Sequence, residues 1–272
     1  MLVKFVYKAP KSKEQLLDML ATESSGLKLL AGGTDLLVNI RNGVYRPQLV
    51  VDLKKIPGFD TITWDKKAGL AIGPAVTINA VLTDAKVREQ YPLLSACAKD
   101  LASYQIRNRA TVVGNIVNAS PCSDMAPALL CLDATVVIES KQGKREIAIA
   151  DFFTGVKRTV LQKDEMVTSI HIPADKAGVQ GVYRKLKRIQ GHDLGIVGVA
   201  VANFGSGARI AVSSSAPTPV VTPLLRLDLS MPKVLEAVSA IIRPISDVRC
   251  SKEYRFFMVG EYTKRLWKEV IS

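Results

Sequence analysis

The sequence predicts an α+β protein in three units: two small α/β subdomains, residues 1–58 and 59–174, then a C-terminal antiparallel sheet with helices, residues 175–272. Three observations predict it. Strand-like and helix-like stretches alternate over the first part of the chain, longer strands follow one another beyond Pro173, and helical periodicity returns at the C-terminal end. At 272 residues the chain is long enough for several compact cores without disulfide staples. Hydrophobic residues make up 48% and charged residues 23%, which indicates neither disorder nor a fibrous architecture.

The elements follow in order. Met1-Leu2-Val3-Lys4-Phe5-Val6-Tyr7 alternates as a strand does. It lacks the longer apolar stretch and the small-residue cleavage site of a secretory signal, so a cytoplasmic location is expected. Ser12-Lys13-Glu14-Gln15 has the form of a capping box ahead of Leu16, Leu17 and Leu20 at helical spacing. A short strand from Leu27 to Leu30, a Gly-Gly turn, a helical stretch from Leu36 to Ile40 and a strand at Leu49-Val50-Val51 complete the first subdomain near Pro57-Gly58. The second runs from Ile62 to about Ile172, with strands near Leu70–Ile72 and Thr135–Glu139 and helical stretches near Ala80–Arg88 and Pro92–Leu101. Strands Gly181–Leu186, Gly195–Phe204 and Arg209–Ser213 follow, the last two joined through Gly205-Ser206-Gly207, a hairpin-type turn. Two amphipathic helices, Val234–Ile242 and Ser251–Val270, come after Pro232 and Ser246-Asp247, residues suited to helix starts.

Several function classes are set aside by composition. The longest apolar runs, such as Leu194 to Phe204, fall well short of the roughly 20 residues that cross a bilayer. Cys97, Cys122, Cys131 and Cys250 show no C-x-x-C spacing, so reduced structural thiols are expected. His171 and His192 pair with no metal-ligand motif, and no nucleophile elbow is present. No metal site and no catalytic side chain are therefore assigned. The net charge of +12 suits an anionic cofactor, an acidic partner or a nucleic acid. The densest basic run, Arg184-Lys185-Leu186-Lys187-Arg188, has no interleaved aromatics beyond Tyr183, so nucleic acid is not the expected partner.

Two segments carry chemistry. Ala31-Gly32-Gly33-Thr34-Asp35-Leu36-Leu37 puts two glycines and a Thr-Asp pair between a strand and a helix. Without Cβ atoms the backbone can turn several N–H groups toward one oxyanion, and the following helix N-terminus adds favourable potential, which suits a pyrophosphate. A plain tight turn capped by Thr34 or Asp35 is the alternative. The loop is neither a Walker A sequence nor a Gly-x-Gly-x-x-Gly fingerprint. The second segment, Ala110 to Asp124, is rich in hydroxyl, amide and carboxylate groups inside an apolar frame. Buried polar groups need partners, so such a segment suits a loop wrapped around a polar ligand.

Together these segments resemble the paired FAD-binding loops of the flavoprotein subunit of molybdenum hydroxylases, the group containing xanthine dehydrogenase and aerobic carbon monoxide dehydrogenase. The resemblance continues through Asp151-Phe152-Phe153-Thr154-Gly155 with Thr159-Val160-Leu161, Ala216-Pro217-Thr218-Pro219, and Asp247-Val248-Arg249 with Glu253-Tyr254-Arg255. It implies the PCMH-type FAD-binding fold for the two N-terminal subdomains and a CO-dehydrogenase-flavoprotein-like C-terminal domain. It also implies non-covalent FAD, with Ala31, Gly32, Gly33, Thr34, Asp35, Leu36 and Leu37 cradling the pyrophosphate and Thr111, Gly114 and Asn115 at the phosphate and ribityl region. By the same match Asp124 accepts ribityl or ribose hydroxyls, and its rival role is a helix N-cap. Leu101 and Val167 would give apolar contacts and Lys185 a cation near the flavin, against core packing or a solvated strand position.

The implied role is electron transfer: from [2Fe–2S] clusters on a small partner subunit, fed by a molybdopterin large subunit, to an external acceptor, a nicotinamide (NAD) or a quinone. Val113 stands where the family commonly has a glycine, which bears on close backbone approach at that point, and Ser213-Ser214-Ser215 replaces the usual glycine-rich pair. No cysteine-rich insertion for a further cluster is present. The rival functions are a stand-alone flavin-dependent oxidoreductase and an anion- or nucleic-acid-binding module.

Overall fold

The structure, a computed structural model, describes residues 4–23, 26–189 and 191–271. The chain begins with β1 (Val6–Lys8), α1 (Lys13–Glu23), β2 (Leu27–Leu30), α2 (Leu36–Arg41) and β3 (Leu49–Asp52). Of the strand expected over Met1–Tyr7, residues 1–3 lie outside the described residues. The Ser12 hydroxyl accepts from the Gln15 N–H at 3.2 Å, while the Gln15 amide oxygen accepts from Lys11 at 2.9 Å, one residue earlier than in a regular capping box. The three strands form a parallel sheet in the order β1-β3-β2. All three carboxyl ends therefore lie at one edge, and the Gly32-Gly33 turn leaves from that edge.

Next come β4 (Ile62–Asp65), β5 (Gly69–Ile72), α3 (Ile78–Thr83), α4 (Ala85–Gln90), α5 (Pro92–Asp100), α6 (Tyr104–Arg107), α7 (Val112–Val117) and α8 (Ala126–Cys131). They are followed by β6 (Thr135–Ser140), β7 (Gly143–Ala148), α9 (Ile149–Phe152), β8 (Phe153–Gly155), β9 (Arg158–Thr159) and β10 (Met166–Ile172). The main sheet here runs β4-β5-β10-β6-β7 and is antiparallel at each pairing. Two expectations need correction. The single helical stretch Ala80–Arg88 is split, because Asp84 turns extended and its carboxylate caps the N–H of Val87 at 2.9 Å. The segment Ala110–Asp124 is not one wrapped loop. Its first half is α7, capped by the Thr111 hydroxyl on the Gly114 N–H at 3.0 Å, because Val112, Val113 and Ile116 bury an apolar face.

The C-terminal part holds β11 (Gln180–Leu186), β12 (Val197–Asn203), β13 (Ala208–Ser213), β14 (Val220–Val221), α10 (Met231–Ile241) and α11 (Lys252–Ile271). Its antiparallel sheet has the order β11-β12-β13-β14, and the turn after β12 is closed by the Phe204 N–H on the Gly207 carbonyl at 2.8 Å. The helix expected from Val234 starts earlier, at Met231, with Pro232 in its first turn. At the start of α11 the Ser246 hydroxyl accepts from the Lys252 N–H at 2.9 Å, and the Ser251 hydroxyl caps the Tyr254 N–H at 3.2 Å.

Alternation in β12 builds the three layers. Val197, Val199 and Val201 pack with Val234, Val238, Val259, Leu266 and Trp267 of α10 and α11. Ala200 and Ala202 join the cluster that holds Leu93, Leu94 and Cys97 of α5 and Leu129 and Leu130 of α8. Bulky residues thus face the C-terminal helices, while small ones admit the helices of the preceding unit. Each fully buried Val or Leu contributes about 1.5–3 kcal/mol relative to exposure.

Candidate functional site

The first loop is held from below. Tyr7 donates to Asp52 at 2.7 Å, Lys54 pairs with Asp52 at 2.6 Å, and the Lys54 ammonium donates to the Ala31 carbonyl at 3.0 Å. Burial raises the Asp52 carboxyl, but the hydrogen bonds from Lys54 outweigh it, and the group sits below its ordinary value. Gly33 adopts φ +77°, a left-handed conformation, and its carbonyl accepts from Leu37 at 3.0 Å. Among the described residues the N–H groups of Gly32, Gly33, Thr34 and Asp35 donate to no protein acceptor. Asp35 makes no side-chain cap, so its carboxylate is not spent on α2.

Gly32 decides the geometry. A Cβ there would overlap the Arg109 carbonyl oxygen and lie 2.8 Å from its carbon and 3.0 Å from the Ala110 Cα. The two motifs, about eighty residues apart in sequence, therefore meet backbone to backbone. Beyond that contact, Thr111 caps α7 and is itself bridged to Thr77. Gly114 leaves room for this cap, since a Cβ would stand 2.7 Å from the Thr111 hydroxyl. Asn115 accepts from the Ser123 hydroxyl at 2.6 Å and the Met125 N–H at 3.3 Å through its amide oxygen, which leaves its NH₂ for another acceptor. Val113 is buried in the main cluster with Val112 and Ile116, so the residue in place of a glycine points into the core.

Asp124 is not a helix cap, because Ser123 takes that duty at the Ala126 N–H, 3.2 Å. Its carboxylate receives the Lys185 ammonium at 2.9 Å and the Tyr183 hydroxyl at 3.2 Å. The Lys185 side chain is 2% exposed, so it is no solvated strand residue. Burial pushes the Asp124 carboxyl up against the opposing pull of Lys185, and burial with the Asp124 charge pushes the Tyr183 hydroxyl well up. The Lys185 ammonium also lies 3.4 Å from the Asp100 carbonyl, beside Leu101, whose carbonyl accepts from Arg107 at 3.0 Å. Gly32, Ala110, Thr111, Gly114, Asn115, Asp124, Lys185 and Leu101 thus form one continuous series of contacts. Val167 is buried in β10 at a bulge, in the cluster beneath α7. Leu36 is half-buried and Leu37 exposed on α2, where Leu37 packs on Gly33.

A clamp from the C-terminal part supports the Asp124 turn. Ser214 donates its N–H to the Pro121 carbonyl at 2.7 Å, and Arg249 reaches the Cys122 sulfur at 3.0 Å and the Gly195 carbonyl at 2.9 Å. Arg255, fully buried, donates to the Ile196 carbonyl at 2.5 Å and the Ser214 carbonyl at 2.7 Å and faces Asp247 at 3.1 Å. Sequence reasoning quoted Asp247, Arg249 and Arg255 as a motif without a role, and it missed Tyr183 as a site residue. Period-two alternation placed Tyr183 on the face of Lys185 and would have found it.

Two predictions arise here. Ser214 holds φ +64°, where an L-residue carries about 1–2 kcal/mol of strain. Ser214→Gly is expected to gain up to about 1 kcal/mol after the greater freedom of the unfolded glycine is subtracted, measured by denaturant unfolding; a loss of stability contradicts it. Arg249, then Arg255, hold the Asp247 carboxyl well below the usual carboxylate range. A depressed folded pKa stabilises above the unfolded value and is lost as pH falls below about 4. The melting difference between the unaltered protein and Asp247→Asn is therefore expected to be full near neutrality and to shrink below about pH 4. A difference constant across that range contradicts the ion pair.

The run Arg184–Arg188 does not form a basic patch. Arg184 pairs with Glu269, Lys185 with Asp124, Lys187 with Asp100 and Arg188 with Asp193. Cys97 and Cys131 are buried free thiols, with burial pushing Cys131 up to about 12. No helix of the described residues is long and apolar enough to cross a membrane.

Comparison with known proteins gives the family. Residues 3–175 match the family of the FAD binding domain in molybdopterin dehydrogenase. The chain is 31% identical to the carbon monoxide dehydrogenase medium chain of Hydrogenophaga pseudoflava over 96% of its own length and 95% of that chain's. It is also 31% identical to the xanthine dehydrogenase FAD-binding subunit of Escherichia coli O157:H7, over 93% and 91% of the two lengths. A solved structure of the Hydrogenophaga pseudoflava carbon monoxide dehydrogenase superimposes with a TM-score of 0.91 over 98% of this chain and 97% of that one. The free N–H groups of the first loop and the acceptor set of the second suit FAD's pyrophosphate and hydroxyls, and the chain belongs to the FAD-binding family of the molybdopterin dehydrogenases, a flavoprotein subunit of that class of oxidoreductase.

Proposed function

We propose that this chain is the electron-transfer subunit of a molybdenum hydroxylase complex. It takes electrons from [2Fe–2S] clusters of a small partner subunit, which draws them from a molybdopterin-bearing large subunit, and passes them to an external acceptor, a nicotinamide or a quinone. One observation carries the reading: Gly32 lies against Arg109 and Ala110, so the free N–H groups of one motif adjoin the polar groups of the other. Ala31 to Leu37 would hold the pyrophosphate, with Thr111, Gly114 and Asn115 at the phosphate and ribityl region. Asp124 would accept hydroxyls, and Leu101 and Val167 would give apolar contacts. FAD, when bound, supplies redox chemistry that links one-electron and two-electron partners. The chain supplies position and fixed charge, and no acid–base side chain is assigned. Residues 1–58 and 59–174 would flank the cofactor, with 175–272 closing its side.

The test is absorbance at about 450 nm in the complex purified with its partners. Addition of the complex's substrate without oxygen is expected to bleach this band. A flavin that stays oxidised while the molybdenum subunit turns over overturns the electron-transfer role.

A further inference from the structure

Tyr183 and Lys185 stand two residues apart on β11 and leave the same face of the sheet. Their cross-strand partners are Ala200 and Gly198. A Cβ at Gly198 would lie 2.7 Å from the Tyr183 hydroxyl, so the small residues of β12 make the space through which both side chains reach Asp124. The neighbouring charges are spent elsewhere: the Asp100 carboxylate pairs with Lys187, and the Cys97 thiol of α5 is held neutral by burial. Lys185 is thus the cation that faces Asp124, with Tyr183 as second donor and Asp100 offering it a carbonyl. An ionised carboxylate has about four lone-pair sites. Tyr183 and Lys185 take one on each oxygen, and among the described residues no other protein group donates to this carboxylate.

Resting on the reading that FAD binds at these two loops, we propose that Lys185 and Tyr183 are positioning residues that act through Asp124. Lys185 keeps the Asp124 carboxylate ionised, and Tyr183 helps aim it to receive the cofactor's sugar-chain hydroxyls. A buried carboxylate stripped of its paired cation takes up a proton, which turns one acceptor oxygen into a donor. Affinity then depends on pH where before it did not.

The experiment titrates the flavin-stripped full-length chain with FAD between about pH 6 and 9, a range in which an unperturbed carboxylate stays ionised. Lys185→Met is expected to weaken FAD roughly 10- to 100-fold at the acid end and to recover toward the alkaline end, while the unaltered chain stays level. In an Asp124→Asn background, Lys185→Met should add less than about threefold, as coupled groups do in a double-mutant cycle. That double variant carries no unpaired buried charge, and Lys185→Arg keeps the pair, so both report on the coupling even where Lys185→Met folds poorly. Tyr183→Phe should weaken binding equally at all pH values. A Lys185→Met loss independent of pH, or losses that multiply independently across the cycle, overturns the proposal and leaves the FAD reading standing. Failure of the unaltered chain to bind FAD overturns both.

Discussion

Gly32→Ala is expected to yield a folded but colourless protein, with FAD affinity reduced about 10- to 100-fold. The added methyl has no open space, since it would overlap the Arg109 carbonyl and crowd Ala110. Both neighbours are backbone, which gives way far less readily than the end of a flexible side chain, and overpacking of this kind costs about 1–3 kcal/mol. Outward displacement of the first loop is the cheaper response, because that loop is only half-buried, whereas Ala110 and Thr111 are packed into the core. The strain therefore appears as separation of the two motifs rather than as unfolding. The flavin-to-protein ratio on purification and a fluorescence titration with FAD measure it, with a melting curve as the control. A Gly32→Ala protein that retains FAD as the unaltered chain does sinks the assignment of these loops as one site.

Arg255→Met should cost about 3 kcal/mol of stability, the largest effect expected outside the two loops. The methionine fills most of the volume, but the Ile196 and Ser214 carbonyls lose their donor inside the protein, and each such loss costs about 1–3 kcal/mol. Asp247 keeps its pair with Arg249, so no isolated charge is left behind. For a chain of this size the change corresponds to a fall in melting temperature of roughly 6–12 °C. Ser214 carries the Pro121 carbonyl on its N–H, so FAD affinity should fall as well. An unchanged melting temperature would show that the guanidinium is dispensable.

Much of this protein was legible in its residues alone because the relevant patterns are local. Leu16 and Leu20 behind a capping hydroxyl, Gly-Gly after a four-residue strand, and the alternation of β12 each follow from backbone geometry within a few residues. The family resemblance also rested on ordered local motifs, and the match over residues 3–175 agrees with it. Local propensity misled where a side chain competed with the backbone, as Asp84 does in breaking the expected helix. It also misled where polar composition hid an apolar helical face, as at Val112, Val113 and Ile116.

Relations between distant residues were decided by the tertiary structure. No spacing rule says that Gly32 meets Arg109, that Lys185 is buried against Asp124, or that Arg255 on the last helix holds up Ser214. The physical reason is that a turn, a cap or an alternation is determined by covalent neighbours, whereas a buried charge or a carbonyl takes whichever partner the packed layers bring within about 3 Å. Residue types alone therefore determined which chemistry was present, and packing decided which groups act on one another.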